Sequence, residues 1–206
     1  MRISRLETIP ADRLIARLKQ TRLEGHGQAL VYEQATLEIV HGVSTAQLRP
    51  AQRYVLTRNI ERIFALRKAL LERDVDLFAL DGGCLVWAEG LTDDGQPMPV
   101  LPPVVEESIE ADGTYRLIND GMHRVWAARQ VVHPISIVLA RNVPPRWPYY
   151  AYPVAGGWQD VAVMEQAPAT SEKKAHRNPT DHRALFRRFN DIFPGVQKKR
   201  AKGDTN

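Results

Sequence analysis

The chain has 206 residues, 44% of them hydrophobic and 25% charged, which is the ordinary globular range with room for one substantial core. It holds no run of about 18 apolar residues, and Met1-Arg2-Ile3-Ser4-Arg5-Leu6-Glu7 lacks the apolar stretch of a secretion signal, so a cytoplasmic location and no membrane partner are expected. A single cysteine, Cys84, excludes an internal disulfide framework, and the histidines show no C-x-x-C or H-E-x-x-H companion spacing, so a metal is expected only if it arrives with a ligand.

Residues 1–73 read as a helical N-terminal region. Pro10-Ala11-Asp12 opens a segment in which Leu14, Ile15 and Leu18 recur at helical spacing, and Gly25-His26-Gly27 stops it. Ala29-Leu30-Val31-Tyr32 fits a strand and a helix start equally. A second helix is predicted over residues 47–73, where Leu56, Ile60, Ile63, Phe64, Leu66, Leu70 and Leu71 form one apolar stripe and Pro50 occupies the first turn.

Residues 74–165 change texture. Asp76-Leu77-Phe78-Ala79-Leu80, the turn Asp81-Gly82-Gly83 and Cys84-Leu85-Val86-Trp87-Ala88 predict a hairpin, with Cys84 a small buried residue in it. After a polar loop and four prolines, two strands are predicted over 104–109 and 114–119, joined by the turn Glu110-Ala111-Asp112-Gly113. A helix over 122–130 and a strand over 135–140 follow. The stretch 142–158, rich in proline and aromatic residues, suits a pocket wall or a segment laid over a hydrophobic face.

Residues 166–206 read as a linker and a basic amphipathic C-terminal helix over 179–193, ended by Gly195. Leu185, Phe186, Phe189, Ile192 and Phe193 lie on one side and Arg183, Arg187 and Arg188 on the other. That stripe requires cover from the body or from a partner. Residues 172–206 carry ten basic and four acidic side chains, a balance of +6 that leaves −2 for the rest of a chain whose net charge is +4. The positive charge is therefore a property of the tail and not of the body.

The chemistry concentrates at Asn119-Asp120-Gly121-Met122-His123-Arg124. A glycine between strand and helix permits a sharp turn and close approach of a ligand, and the first helical amides point outward with the positive end of the dipole behind them. His123 and Arg124 in the first turn oppose that dipole by about 0.3–1 kcal/mol each, a repulsion that a bound anion would relieve. Arg124 offers a fork that matches a phosphate, and His123 a second donor. The same residues also fit a plain turn in which Asp120 caps the helix, His123 lies on the surface and Arg124 pairs with Glu106 or Glu107.

The order Pro102-Pro103-Val104-Val105, a hairpin ending in Tyr115-Arg116-Leu117-Ile118-Asn119, then Asp120-Gly121-Met122-His123-Arg124-Val125-Trp126-Ala127-Ala128 and a strand resembles the ParB and sulfiredoxin superfamily over residues 97–141. The resemblance implies an α+β fold, a small mixed sheet with helices. It also implies nucleotide phosphate contact through Gly121, Met122, His123 and Arg124. Asp120 falls on the acidic position of the D-G-x-H-R branch, which includes free serine kinases and modules of DNA-modification systems. This implies ATP or another nucleoside triphosphate, Mg2+ held with the nucleotide at Asp120, catalytic roles for Asp120 and His123, and phosphotransfer or hydrolysis. Glu106 or Glu107 is a candidate second acid, an exposed hairpin face being the alternative. Met122 stands where the sulfiredoxin reaction needs a cysteine, and a thioether cannot be the nucleophile. The partition-protein branch would show Glu-Arg-Arg and a following helix-turn-helix, and neither is evident. The alternative function is a non-catalytic module that binds nucleic acid or a protein partner through residues 172–202, in a DNA-processing or defence assembly.

Overall fold

The computed structural model describes residues 1–88, 96–169 and 172–193. Its elements in chain order are β1 (Ile3–Ile9), α1 (Ala11–Leu18), β2 (Thr36–Val43), β3 (Leu48–Arg49), β4 (Tyr54–Leu56), α2 (Thr57–Leu71), β5 (Gly83–Ala88), β6 (Met98–Val100), β7 (Val104–Glu110), β8 (Gly113–Ile118), α3 (Met122–Gln130), β9 (Ile135–Arg141) and β10 (Ala162–Met164). The protein is α+β. A five-stranded sheet runs in the order β2-β9-β7-β8-β3, a three-stranded sheet in the order β1-β5-β6, and β10 pairs with β4.

The five-stranded sheet is mixed. β7 is antiparallel to β8 and parallel to β9, β2 is antiparallel to β9, and β3 is parallel to β8. Its central strands are buried on both faces, which explains why β9 is apolar from Ile137 to Ala140 without alternation. Alternate residues belong to different cores: Val105, Ile137 and Leu139 pack with α2, α3 and β5, whereas Val104, Val138 and Ala140 pack with α1, Tyr32, Ile192 and Phe193.

The hairpin over 104–119, the helix at 122–130 and the strand at 135–140 form where the sequence places them. α1 also forms, burying Leu14 and Leu18 one turn apart. Three expectations need correction. Residues 1–73 are not a helical region: the chain starts with β1, and β2, β3 and β4 lie between the two helices. β1 escapes a local reading because its partner, β5, lies some seventy residues on, with Ile9 opposite Gly83. The helix predicted from residue 47 begins at Thr57, because Pro50 favours extended backbone before it and residues 48–49 and 54–56 pair with β8 and β10.

The predicted 76–88 hairpin is also absent. Asp76 accepts the Phe78 N–H at 3.0 Å and binds Arg67, making 76–80 a loop, and β5 pairs with β1 and β6 instead. Gly82 permits this with φ 113°, since a Cβ there would lie 2.2 Å from the Ile9 carbonyl oxygen.

The C-terminal helix is the third correction. Its described part is a strap with two 3-10 turns, His182–Leu185 and Phe189–Ile192, and Gly195 lies outside the described residues. The strap gives its backbone bonds to another segment: Glu24 N–H to Phe186 O, Gly25 N–H to Ala184 O and Arg188 N–H to Arg22 O. The apolar stripe is covered by the body, where Ile192 and Phe193 are buried and Leu185 and Phe189 pack beside them.

Candidate functional site

β8 ends at Ile118, and the next two amides, of Asn119 and Asp120, both donate to the Val104 carbonyl, at 2.9 and 3.2 Å. The chain thus pivots on the start of β7. Gly121 then takes φ 84° and ψ 18°, a left-handed conformation, and lies against Pro103, whose own carbonyl is fixed by the Val138 N–H at 2.9 Å. α3 starts at the next residue. Arg124 N–H and Val125 N–H close on the Gly121 carbonyl, and no side chain caps the helix. The position that serine or aspartate commonly fills to satisfy the first amides is held here by a glycine, which has no side chain to offer them.

The side chains of the motif point in different directions. Met122 is buried in the core beside α2. Arg124 is nearly enclosed, and its Nη2 reaches Asp120 Oδ2 at 2.8 Å, so the ion pair is internal to the turn and not made with Glu106 or Glu107. Burial lowers the Arg124 pKa from its ordinary value, with Asp120 opposing. Cys84 feels the same guanidinium: burial pushes its thiol up to about 11, against the pull of Arg124. Asp120 keeps 39% of its side chain exposed, which makes it the accessible acid of the turn.

His123 Nε2 accepts the Leu56 N–H at 3.2 Å, and Asn59 Nδ2 lies 3.4 Å from the same nitrogen. An imidazole nitrogen that accepts an amide proton presents its lone pair there, so in this contact the ring hydrogen lies on Nδ1. His123 can therefore donate from Nδ1, while Nε2 is engaged with the start of α2.

Glu106 and Glu107 separate, as alternation on a strand requires. Glu107 is half-buried, with Arg141 Nε at 3.6 Å. Glu106 is 3% exposed and joins a network that sequence reasoning missed. Arg187 grips it with Nε on Oε1 at 2.9 Å and Nη2 on Oε2 at 3.0 Å, and the Tyr32 hydroxyl donates to Oε1 at 2.6 Å. The remaining Arg187 donors go to the carbonyls of Trp147, Pro148 and Leu185, so all five of its N–H groups are used. Burial is the largest influence on Arg187 and lowers its pKa, but the attraction and hydrogen bonds of Glu106 together with the two tyrosines leave it raised, while burial and Glu106 together raise that of Tyr32 well above its ordinary value. No spacing rule links positions 32, 106 and 187.

Three of the tail's other described cations also face inward or pair locally, whereas Arg183 is exposed. Lys174 Nζ donates to the hydroxyls of Tyr149 and Tyr150, Arg177 binds Glu110 and Ser108, and Arg188 pairs with Asp191. Lys198, Lys199, Arg200 and Lys202 lie outside the described residues. Two surface concavities, of about 410 and 350 Å³, are lined by Phe64, Arg67 and Leu71 and by Arg53, Tyr152 and Asp160 among others, and neither includes a residue of the motif. Among the described residues no group of three His, Cys, Asp or Glu side chains is placed to hold a metal. None of the helices in the described residues is long and apolar enough to cross a membrane.

A mixed sheet delivers a strand, a left-handed glycine and a helix without a side-chain cap, in that order. The chain belongs to the ParB CE domain family, whose profile matches residues 13–162 and so spans the whole turn. No curated protein and no solved structure matched the chain.

Proposed function

We propose that the Asp120–Arg124 turn binds the phosphates of a nucleoside triphosphate, with ATP the first choice, and supports phosphotransfer or hydrolysis. The observation that carries this reading is the uncapped start of α3 behind Gly121, in a position where a Cβ would lie 2.8 Å from Pro103 Cβ. The α3 amides and the Nδ1–H of His123 supply donors, and Arg124 supplies a fixed positive charge one turn behind them. Asp120 would be the protein contact for Mg2+ carried in with the nucleotide, an ion that would supply charge neutralisation for the phosphates. As the exposed acid, Asp120 is also the candidate base for an acceptor hydroxyl. The D-G-x-H-R resemblance supports the kinase form of this chemistry.

The test is thermal unfolding with ATP, CTP, GTP and ADP, with and without Mg2+. A ligand at a hundred times its Kd stabilises the folded state by about 2.7 kcal/mol, a shift of several degrees. Asp120→Asn, which keeps an oxygen for Arg124 but removes the charge, should lose the Mg2+-dependent part, and Arg124→Lys should lose most of the response. Absence of a shift in the wild-type protein with every nucleotide overturns the reading.

A further inference from the structure

Two hydrogen-bond relays run from the C-terminal strap to one residue, Asn119, which immediately precedes the turn. In the first, Lys174 Nζ donates to the Tyr149 hydroxyl, which donates to the Asn119 carbonyl at 3.1 Å. In the second, Arg187 holds Glu106, Glu106 accepts the Tyr32 hydroxyl, and the Tyr32 oxygen accepts Asn119 Nδ2 at 3.4 Å. The direction of each donor is fixed. Lys174 and Arg187 only donate, Glu106 only accepts, and each tyrosine commits its one O–H and offers a lone pair. Both tyrosines are almost fully buried, so water does not compete for these bonds.

Asn119 is thereby held at three points: its N–H by Val104, its carbonyl by Tyr149 and its Nδ2 by Tyr32. The strap residues that anchor both relays lie beyond the family match, which ends at residue 162, whereas Asn119 and the turn lie within it. The outer anchors of both relays thus lie outside the matched domain, and the groups that touch Asn119 lie within it.

We propose that the strap sets the order of the Asp120–Arg124 turn and thereby its ligand affinity, with Lys174 and Arg187 as positioning residues acting through Tyr149 and Tyr32 on Asn119. A site ordered before binding has less freedom to lose when the ligand arrives. The affinity half of the proposal rests on the nucleotide reading; the order of the turn does not.

The experiment compares wild type with Tyr32→Phe, Tyr149→Phe and the double variant, each of which keeps the ring and removes one relay hydroxyl. Tyr152→Phe, a change in a half-exposed side chain that neither relay includes, is the control. Amide hydrogen exchange is followed without ligand over residues 119–125 and over β2 and β9, and the affinity for Mg·ATP is measured by calorimetry. Loss of one hydrogen bond should raise exchange in the turn and weaken Mg·ATP binding by about two- to tenfold each, more in the double variant, with β2 and β9 unchanged. A merely structural role would instead speed exchange throughout or lower the melting temperature with affinity unaltered. The proposal is overturned by turn exchange equal to wild type, or by faster exchange with unchanged affinity. If the wild type binds no Mg·ATP, the nucleotide reading fails by itself, and exchange in the turn then decides the coupling: a local increase upholds it and no change rejects it.

Discussion

At Gly121 the backbone takes a left-handed conformation with Pro103 pressed against the place where a side chain would begin. Two costs therefore meet in Gly121→Ala. The positive φ is worth about 1–3 kcal/mol for a residue with a Cβ, and the Pro103 contact adds to it because that proline is tied to β9. Urea unfolding should show the loss in midpoint at constant slope, and an alanine variant as stable as wild type would refute the strain account. This turn was legible in the sequence because its parts are consecutive and glycine has a mechanical meaning between a strand and a helix. What the sequence did not disclose was the direction of each side chain. Arg124 folds back on Asp120, Met122 enters the core, and His123 is spent partly on the Leu56 amide, a contact between residues 67 positions apart.

At the scale of elements, the strap shows what a buried ion pair demands. Glu106 and Arg187 are 3% and 1% exposed, so removing one partner leaves an uncompensated charge inside the protein. Arg187→Met should cost about 3–5 kcal/mol, whereas Glu106→Leu with Arg187→Met should be much milder, because apolar replacement of both partners removes the desolvation penalty as well. A double-mutant cycle by chemical denaturation measures this, and additive single effects would reject it. The same pair explains why the C-terminal helix was misread. Five large apolar residues at nearly helical spacing do suggest a helix, but Arg187 also had to reach inward, and the backbone instead pairs with residues 22–25. α1, α3 and the β7–β8 hairpin read correctly because their backbone hydrogen bonds close between residues near in sequence. β1 did not, its partner strand lying far along the chain.

For the molecule as a whole, charge is laid out in three blocks. Residues 1–73 hold thirteen basic and seven acidic side chains, residues 74–171 five and thirteen, and residues 172–206 ten and four. Basic flanks thus enclose an acidic middle, and Arg67–Asp76, Arg177–Glu110 and Arg187–Glu106 join them. Asp76 and Glu110 both ionise more readily than usual: burial opposes this, but hydrogen bonds from Arg67 and the Phe78 N–H to Asp76, and from Arg177 and Ser108 to Glu110, outweigh it. A carboxyl whose pKa is lower folded than unfolded gives its full stabilisation above the unfolded value and loses it as pH falls through the folded one. Stability should therefore hold near neutrality and decline below about pH 4. Denaturant midpoints across that range should show a shallower acid limb for Arg177→Met, and an unchanged limb would count against these pairs. The tail's net charge was readable from composition, and its use was not, because composition does not say which acids lie opposite.

The distance along the chain between Glu106 and Arg187 also has a meaning for biosynthesis. The acid leaves the ribosome 81 residues before the arginine that completes its shell. During that interval Glu106 has the Tyr32 hydroxyl but not its arginine, and the apolar side chains around it on that sheet face lie uncovered. A nascent or truncated chain lacking residue 187 is thus marked as unfinished, open to chaperones and proteases until the last segment closes over it.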